Sequence, residues 1–226
     1  MTQEQNIFLA KRLIVDSIWK EANLEGISVT FPETQCIFDN HVGSDKLSVD
    51  EIVAINNLKH AWQFIIDTID EKINFNYICE IHKKIIEGLI YDSQLVGNIR
   101  NTAVHIGGTD WIPPIPIKSV IEDELDTIQK MPDYVDKGIN YLLYIMRRQM
   151  FLDGNKRVAQ ILANKYLISN GFGIFSIDVN KKVEFLKLLV NFYETNEPNI
   201  ITNYVKNNCI KNEFINNHQQ SQGLVM

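Results

Sequence analysis

The stretch Met146-Arg147-Arg148-Gln149-Met150-Phe151-Leu152-Asp153-Gly154-Asn155-Lys156-Arg157-Val158-Ala159-Gln160 decides how this chain is read. It joins the end of one apolar-periodic segment to the start of another, a helix–loop–helix with a charged turn. Asp153 and Asn155 are suited to cap the second helix, and Gly154 lets backbone approach a ligand with no side chain in the way. The free N–H groups at such a helix start, with the positive end of the helix dipole, make an anion site. Lys156 and Arg157 in the first turn are disfavoured there by about 0.3–1 kcal/mol each unless something negative binds. A bound phosphate removes that conflict, and Asp153 offers a hard oxygen ligand to Mg2+, which takes one or two carboxylates plus phosphate oxygens. A bare Asp-Gly-Asn is more often only a turn and a cap. The two basic residues and the helix on either side shift that balance.

Working outward, helical periodicity dominates. Ile7, Phe8, Ile14, Val15, Ile18 and Trp19 share one face of a first helix over residues 5–23, with Gly26 suited to its end. Pro32 suits the first turn of a short second helix reaching residues 39–40. Ser48 or Asp50 caps a long helix carrying Ile52, Val53, Ile55, Leu58, Trp62, Ile65, Ile66 and Ile69. A further helix over 74–88 contains His82 among its apolar positions and reads as holding a core or capping histidine. Helical spacing returns over 117–131, 138–150, 155–170, 180–193 and 198–210. Between residues 91 and 117 the pattern breaks, because Gly97, Gly107, Gly108, Pro113, Pro114 and Pro116 crowd one stretch. Within it Thr102-Ala103-Val104-His105-Ile106 alternates before Gly107-Gly108, which predicts a small exposed hairpin.

The chain has 226 residues, 45% hydrophobic, with a formal net charge of −6. That is enough to bury a core, and the negative balance argues against a nucleic-acid partner or an anionic membrane surface. The arginines at 147, 148 and 157 with Lys156 read as a solvated face rather than a DNA contact. Cys36, Cys79 and Cys209 are widely spaced and follow no metal or disulfide pattern. With no apolar run of spanning length, the expectation is a cytoplasmic protein without membrane attachment. The expected organisation is an N-terminal helical region over 1–47, a main domain over 48–210, and a flexible tail over 211–226.

The run Gln149-Met150-Phe151-Leu152-Asp153-Gly154-Asn155-Lys156-Arg157 resembles the signature of the Fic/Doc (Fido) family, His-x-Phe-x-(Asp/Glu)-(Gly/Ala)-Asn-(Gly/Lys)-Arg, matching at every fixed position but the histidine. Upstream, Gly97-Asn98-Ile99-Arg100, then Val104-His105-Ile106-Gly107-Gly108 and Pro113-Pro114, look like the family's flap. The resemblance implies an all-α, Fic-type helical bundle with a small β-hairpin flap. It also implies transfer of AMP from Mg-ATP to a protein hydroxyl. Asp153 would then hold Mg2+, and Gly154, Asn155, Lys156 and Arg157 would cradle the phosphates. Phe151 would pack the loop against the core. The flap at Val104, His105, Ile106 and Gly107 would bind the protein target by strand addition.

The departures matter as much. Gln149 stands where the family places its catalytic histidine, and an amide cannot take a proton from the attacking hydroxyl. His105 is the second candidate base. Glu25-Gly26 resembles half of the family's inhibitory motif and marks Glu25 as a regulatory candidate, although Glu21 replaces the Ser or Thr of that motif and Gln160 replaces its arginine partner. Lys156 and the missing second arginine are Doc-like, which keeps phosphotransfer open beside AMP transfer. An inactive binding module, or a domain acting with a regulatory partner, also fits Gln149.

Overall fold

The computed structural model describes residues 1–41, 46–132 and 134–212. Among these, nine α-helices follow in order: α1 (Gln3–Leu24), α2 (Phe31–Phe38), α3 (Val49–Asp67), α4 (Phe75–Ile86), α5 (Lys118–Gln129), α6 (Tyr134–Arg148), α7 (Asn155–Ser169), α8 (Lys182–Thr195) and α9 (Asn199–Asn208). The expected mostly helical architecture is what the described residues adopt. Reciprocal capping boxes start α1 at Thr2, α2 at Thr30 and α3 at Ser48, and Asn74 caps α4. Each answers an N–H that the first helical turn leaves free.

The architecture is organised around α7, which packs against α6, α1, α4 and α3. Twelve residues of α7 are buried, including the polar Gln160, Asn164 and Lys165. A helix buried around most of its circumference belongs in a core, and two of its buried polar side chains find partners there. The Asn164 amide donates to Phe175 O and accepts from Phe175 N–H, and Lys165 donates to the carbonyl of Ile69. Helix α6 begins four residues before Gly138 and runs through it. A Cβ at Gly138 would stand 2.9 Å from the Leu167 side chain, so the missing side chain is what lets α6 and α7 close up.

The predicted flap hairpin is corrected by the structure. Residues 102–111 carry no strand pairing, and the sheet among the described residues instead joins β1 (Ile174–Phe175) to β2 (Ile210–Lys211), antiparallel. The flap runs out over the surface with its neighbouring backbone tied elsewhere. The carbonyls of Thr102, Pro113 and Pro114 all accept from Arg100 rather than from a facing strand. Lys211, expected to begin the tail, pairs with Ile174 in β2, and residues 213–226 of that tail lie outside the described residues.

Candidate active site

Helix α6 ends at Arg148, and Gln149 turns the chain with a left-handed φ of 49°. A non-glycine residue adopts that conformation only where its surroundings hold it. Here the Gln149 N–H bonds to Ile145 O at 3.2 Å, and its carbonyl accepts from Arg100 Nε at 2.7 Å. The chain enters α7 through Gly154, also left-handed at φ 80°, and no side chain caps the helix. This corrects the expectation that Asp153 and Asn155 act as caps. Asn155 is already the first helical residue, so its side chain leans back over the turn before it. Its Oδ1 accepts from Phe151 N–H at 2.9 Å, and its Nδ2 donates to Phe151 O at 2.8 Å and to Gln149 Oε1 at 3.1 Å. Asp153 instead pairs with Arg157 one turn on, at 2.8 Å.

Two residues that the sequence did not single out as site residues hold this loop. His82 of α4 is fully buried and stacks flat on Phe151, with ring centroids 3.8 Å apart and planes 4° from parallel. Its Nδ1 accepts from Gly97 N–H at 3.0 Å, so the proton sits on Nε2 and points at the Asp153 carbonyl 3.2 Å away. Burial pushes His82 down to about 4, which keeps the ring neutral in that tautomer. Arg100, also buried, spans four carbonyls, those of Gln149, Thr102, Pro113 and Pro114. It joins the loop to both stems of the flap.

These elements enclose a cavity of about 450 Å³. Its wall brings together Glu25 from the end of α1, His105, Ile106 and Gly107 from the flap, and Gln149 with residues 152–156 from the loop. Helix α8 contributes Leu186, Leu189, Val190 and Tyr193, an apolar side that motif spacing gave no means of finding. Of the predicted residues, Val104 is off this wall and Arg157 lies beneath it, its side chain 8% exposed. Tyr193 lies against Gln149, and burial raises its hydroxyl above the ordinary tyrosine value, so it stays protonated.

Glu25 carboxylate oxygens lie 3.6 Å from Lys156 Nζ and 3.9 Å from Arg157 Nε. Neither contact is a hydrogen bond: Glu25 Oε1 and Arg157 Nε are buried without a hydrogen-bond partner. One turn earlier, Glu21 is buried against Trp62, whose Nε1 donates to it at 3.2 Å, and burial pushes its carboxyl up to about 8. Burial thus favours the neutral form of Glu21, and Gln160 is buried in the core with its amide nitrogen unpartnered. An uncapped helix start with Lys156 on the cavity wall and Arg157 behind it fits a phosphate group. Among the described residues no cluster of three or more acidic, His or Cys side chains is set to hold a metal. Asp153, 59% exposed at its side chain, is the loop carboxylate that fits an ion taking its other ligands from phosphate and water.

A model described as the Fic/DOC family matches residues 72–167, which take in α4, the flap, the loop and most of α7. This stretch is a Fic/DOC family domain. Curated relatives agree. A protein adenylyltransferase Fic of Drosophila yakuba is 25% identical over 192 residues, covering 79% of this chain and 37% of the relative. One of Culex quinquefasciatus is 26% identical over 171 residues, 72% of this chain and 33% of the relative. The chain spans about a third of the length of the curated relatives it matches. In fold, the Fic domain and its surrounding helices resemble residues 134–508 of Fic-1 from C. elegans, with a TM-score of 0.71 at 17% identity over 94% of this chain and 66% of that one. A Fic family protein from Desulfovibrio desulfuricans gives 0.71 at 12% identity over 99% and 70%. No helix among the described residues is long and apolar enough to cross a membrane.

Proposed function

We propose that the Fic domain binds Mg-ATP at the loop between α6 and α7 and transfers AMP to a hydroxyl of a protein target, slowly, because Gln149 stands in place of a catalytic histidine. The observation that carries this is the cavity shared by the loop, the flap and the apolar face of α8. There the uncapped start of α7 and Lys156 would hold phosphates with Arg157 behind them, Asp153 would hold Mg2+, and Leu186, Leu189 and Val190 would face an apolar or aromatic part of the nucleotide. The metal supplies neutralisation of phosphate charge. His105 and its flap neighbours present the target segment above Gln149. Glu25 sits against the same cations and competes with an incoming anion, which makes it the regulatory contact of the site.

Absence of a general base costs roughly 10²–10⁴ in rate. Gln149 cannot supply one, and its amide is already committed: Nε2 donates to Met146 O at 2.5 Å and Oε1 accepts from Asn155 at 3.1 Å. That commitment favours a second reading, a binding module whose flap engages a partner without chemistry. Intact mass after incubation with Mg-ATP, with and without a candidate protein acceptor, decides between them. The expected result is a gain of AMP mass that is slow in the natural chain, faster in Gln149→His and absent in Asp153→Ala. A gain of phosphate mass makes the domain a phosphotransferase instead. If neither the natural chain nor Gln149→His gains mass and Mg-ATP does not raise the melting temperature, the nucleotide-binding reading is lost.

A further inference from the structure

Few groups around the loop cavity are able to take a proton from an attacking hydroxyl, and all but one are otherwise engaged. Gln149 is an amide with no basic nitrogen. Glu25 lies against Lys156 and Arg157, at 3.6 and 3.9 Å. Asp153 pairs with Arg157 at 2.8 Å and is the carboxylate proposed for the metal. Tyr193 is kept protonated by burial, and Lys156 is a cation with no lone pair to offer. His82 lies off the wall, one ring nitrogen taking Gly97 N–H at 3.0 Å and the other turned to the Asp153 carbonyl at 3.2 Å. His105 is left. It is exposed, it lines the cavity, and among the described residues no hydrogen bond or ion pair engages its ring.

Arg100 sets where the flap starts. One guanidinium donates from Nε to Gln149 O at 2.7 Å and from Nη1 to Thr102 O at 2.6 Å, so the motif turn and the base of the flap are held side by side. His105 follows Thr102 by three residues, a reach of about 10 Å at full extension. We infer that His105 is the proton acceptor of the transfer proposed above, a catalytic role moved from the loop to the flap; the inference rests on that reading of the site. As the acceptor hydroxyl oxygen bonds to the α-phosphorus of ATP, the bond from that phosphorus to the α,β-bridging oxygen breaks. The hydroxyl proton passes to a ring nitrogen of His105, and pyrophosphate leaves with the electron pair. The flap makes no strand pairing, so the imidazole is positioned less firmly than a loop side chain, which keeps the step slow. The other titratable groups on the wall are Glu25 of α1, Asp153 and Lys156 of the loop and Tyr193 of α8. A protonated imidazole has no lone pair, so the rate falls on acidification.

The test follows release of AMP from Mg-ATP by the full chain, with water and N-acetyl-tyrosinamide as acceptors. It compares the natural chain, His105→Gln, Gln149→His and the double variant across pH. His105→Gln keeps a polar side chain at an exposed position and removes the base. The expected result is a rate about 10²-fold lower in His105→Gln, with the fall on acidification gone. In the Gln149→His background the same change alters the rate by less than about two-fold, because the loop histidine then takes the proton. Equal losses in both backgrounds overturn the inference, since His105 then holds the acceptor and not its proton. An unchanged rate or an unchanged response to acid in His105→Gln overturns it too. If Gln149→His releases AMP and the natural chain does not, the nucleotide site stands and the inference falls. If neither releases AMP, the transfer reading is lost and the inference with it.

Discussion

The loop at residues 149–157 and the flap at residues 102–111 face the same cavity and are built in opposite ways. In the loop the turn itself is braced from several sides: Asn155 braces Phe151, His82 takes the Asp153 carbonyl, and Arg100 takes that of Gln149. Two left-handed residues, Gln149 and Gly154, are kept in place by that network. The flap has exposed Thr102, Ala103, His105, Gly107 and Gly108, no strand pairing, and a backbone anchored at its ends by Arg100. The difference teaches a division of labour. A site for a small, highly charged group needs donors fixed in advance, whereas a surface that takes another chain by its backbone keeps its own backbone groups free.

Breaking the link between the two regions should have the largest effect. Arg100→Ala removes hydrogen bonds to four carbonyls from a buried charged donor and should cost about 4 kcal/mol, a fall in melting temperature of roughly 8–16 °C for a chain of this size. Calorimetry checks it, and a loss under about 1 kcal/mol would mean that water replaces the guanidinium and the loop is braced by His82 alone. His82→Phe comes next. It keeps a ring against Phe151 but leaves Gly97 N–H and the Asp153 carbonyl unanswered, for about 2 kcal/mol and roughly 4–8 °C. In the flap, His105→Ala should change stability by less than about 0.5 kcal/mol, as for an exposed side chain, while lowering whatever transfer the natural chain performs. A thermal loss from His105→Ala as large as that from His82→Phe would show the flap to be packed as firmly as the loop, and the contrast would fail.

Much of this was legible in the sequence, and the particular residues show why. The stripe from Ile52 to Ile69, the cap at Ser48 and the breakers between Gly97 and Pro116 are local signals, set by neighbours within one or two turns. The turn between α6 and α7 is likewise local, carried by the contiguous run from Gln149 to Arg157. The caps assigned to Asp153 and Asn155 went astray because the turn runs through left-handed Gly154, which makes Asn155 the first helical residue and sends its side chain backward. The hairpin went astray because alternation alone does not supply a partner strand, and Arg100 had claimed the carbonyls that a ladder would need.

What the sequence determined by itself is the set of helices and the turn that joins two of them at the motif, since periodicity, caps and a contiguous motif all act through residues close along the chain. Only the tertiary structure decided what holds that loop and what surrounds it. His82 reaches Asp153 across 71 positions and Arg100 reaches Gln149 across 49, while α8 supplies the apolar wall from beyond the motif. Glu25 meets Lys156 and Arg157 only because α1 ends against the start of α7. Such contacts depend on where helices come to rest against one another. That is fixed by the packing of α7 in the core, and no spacing along the chain records it.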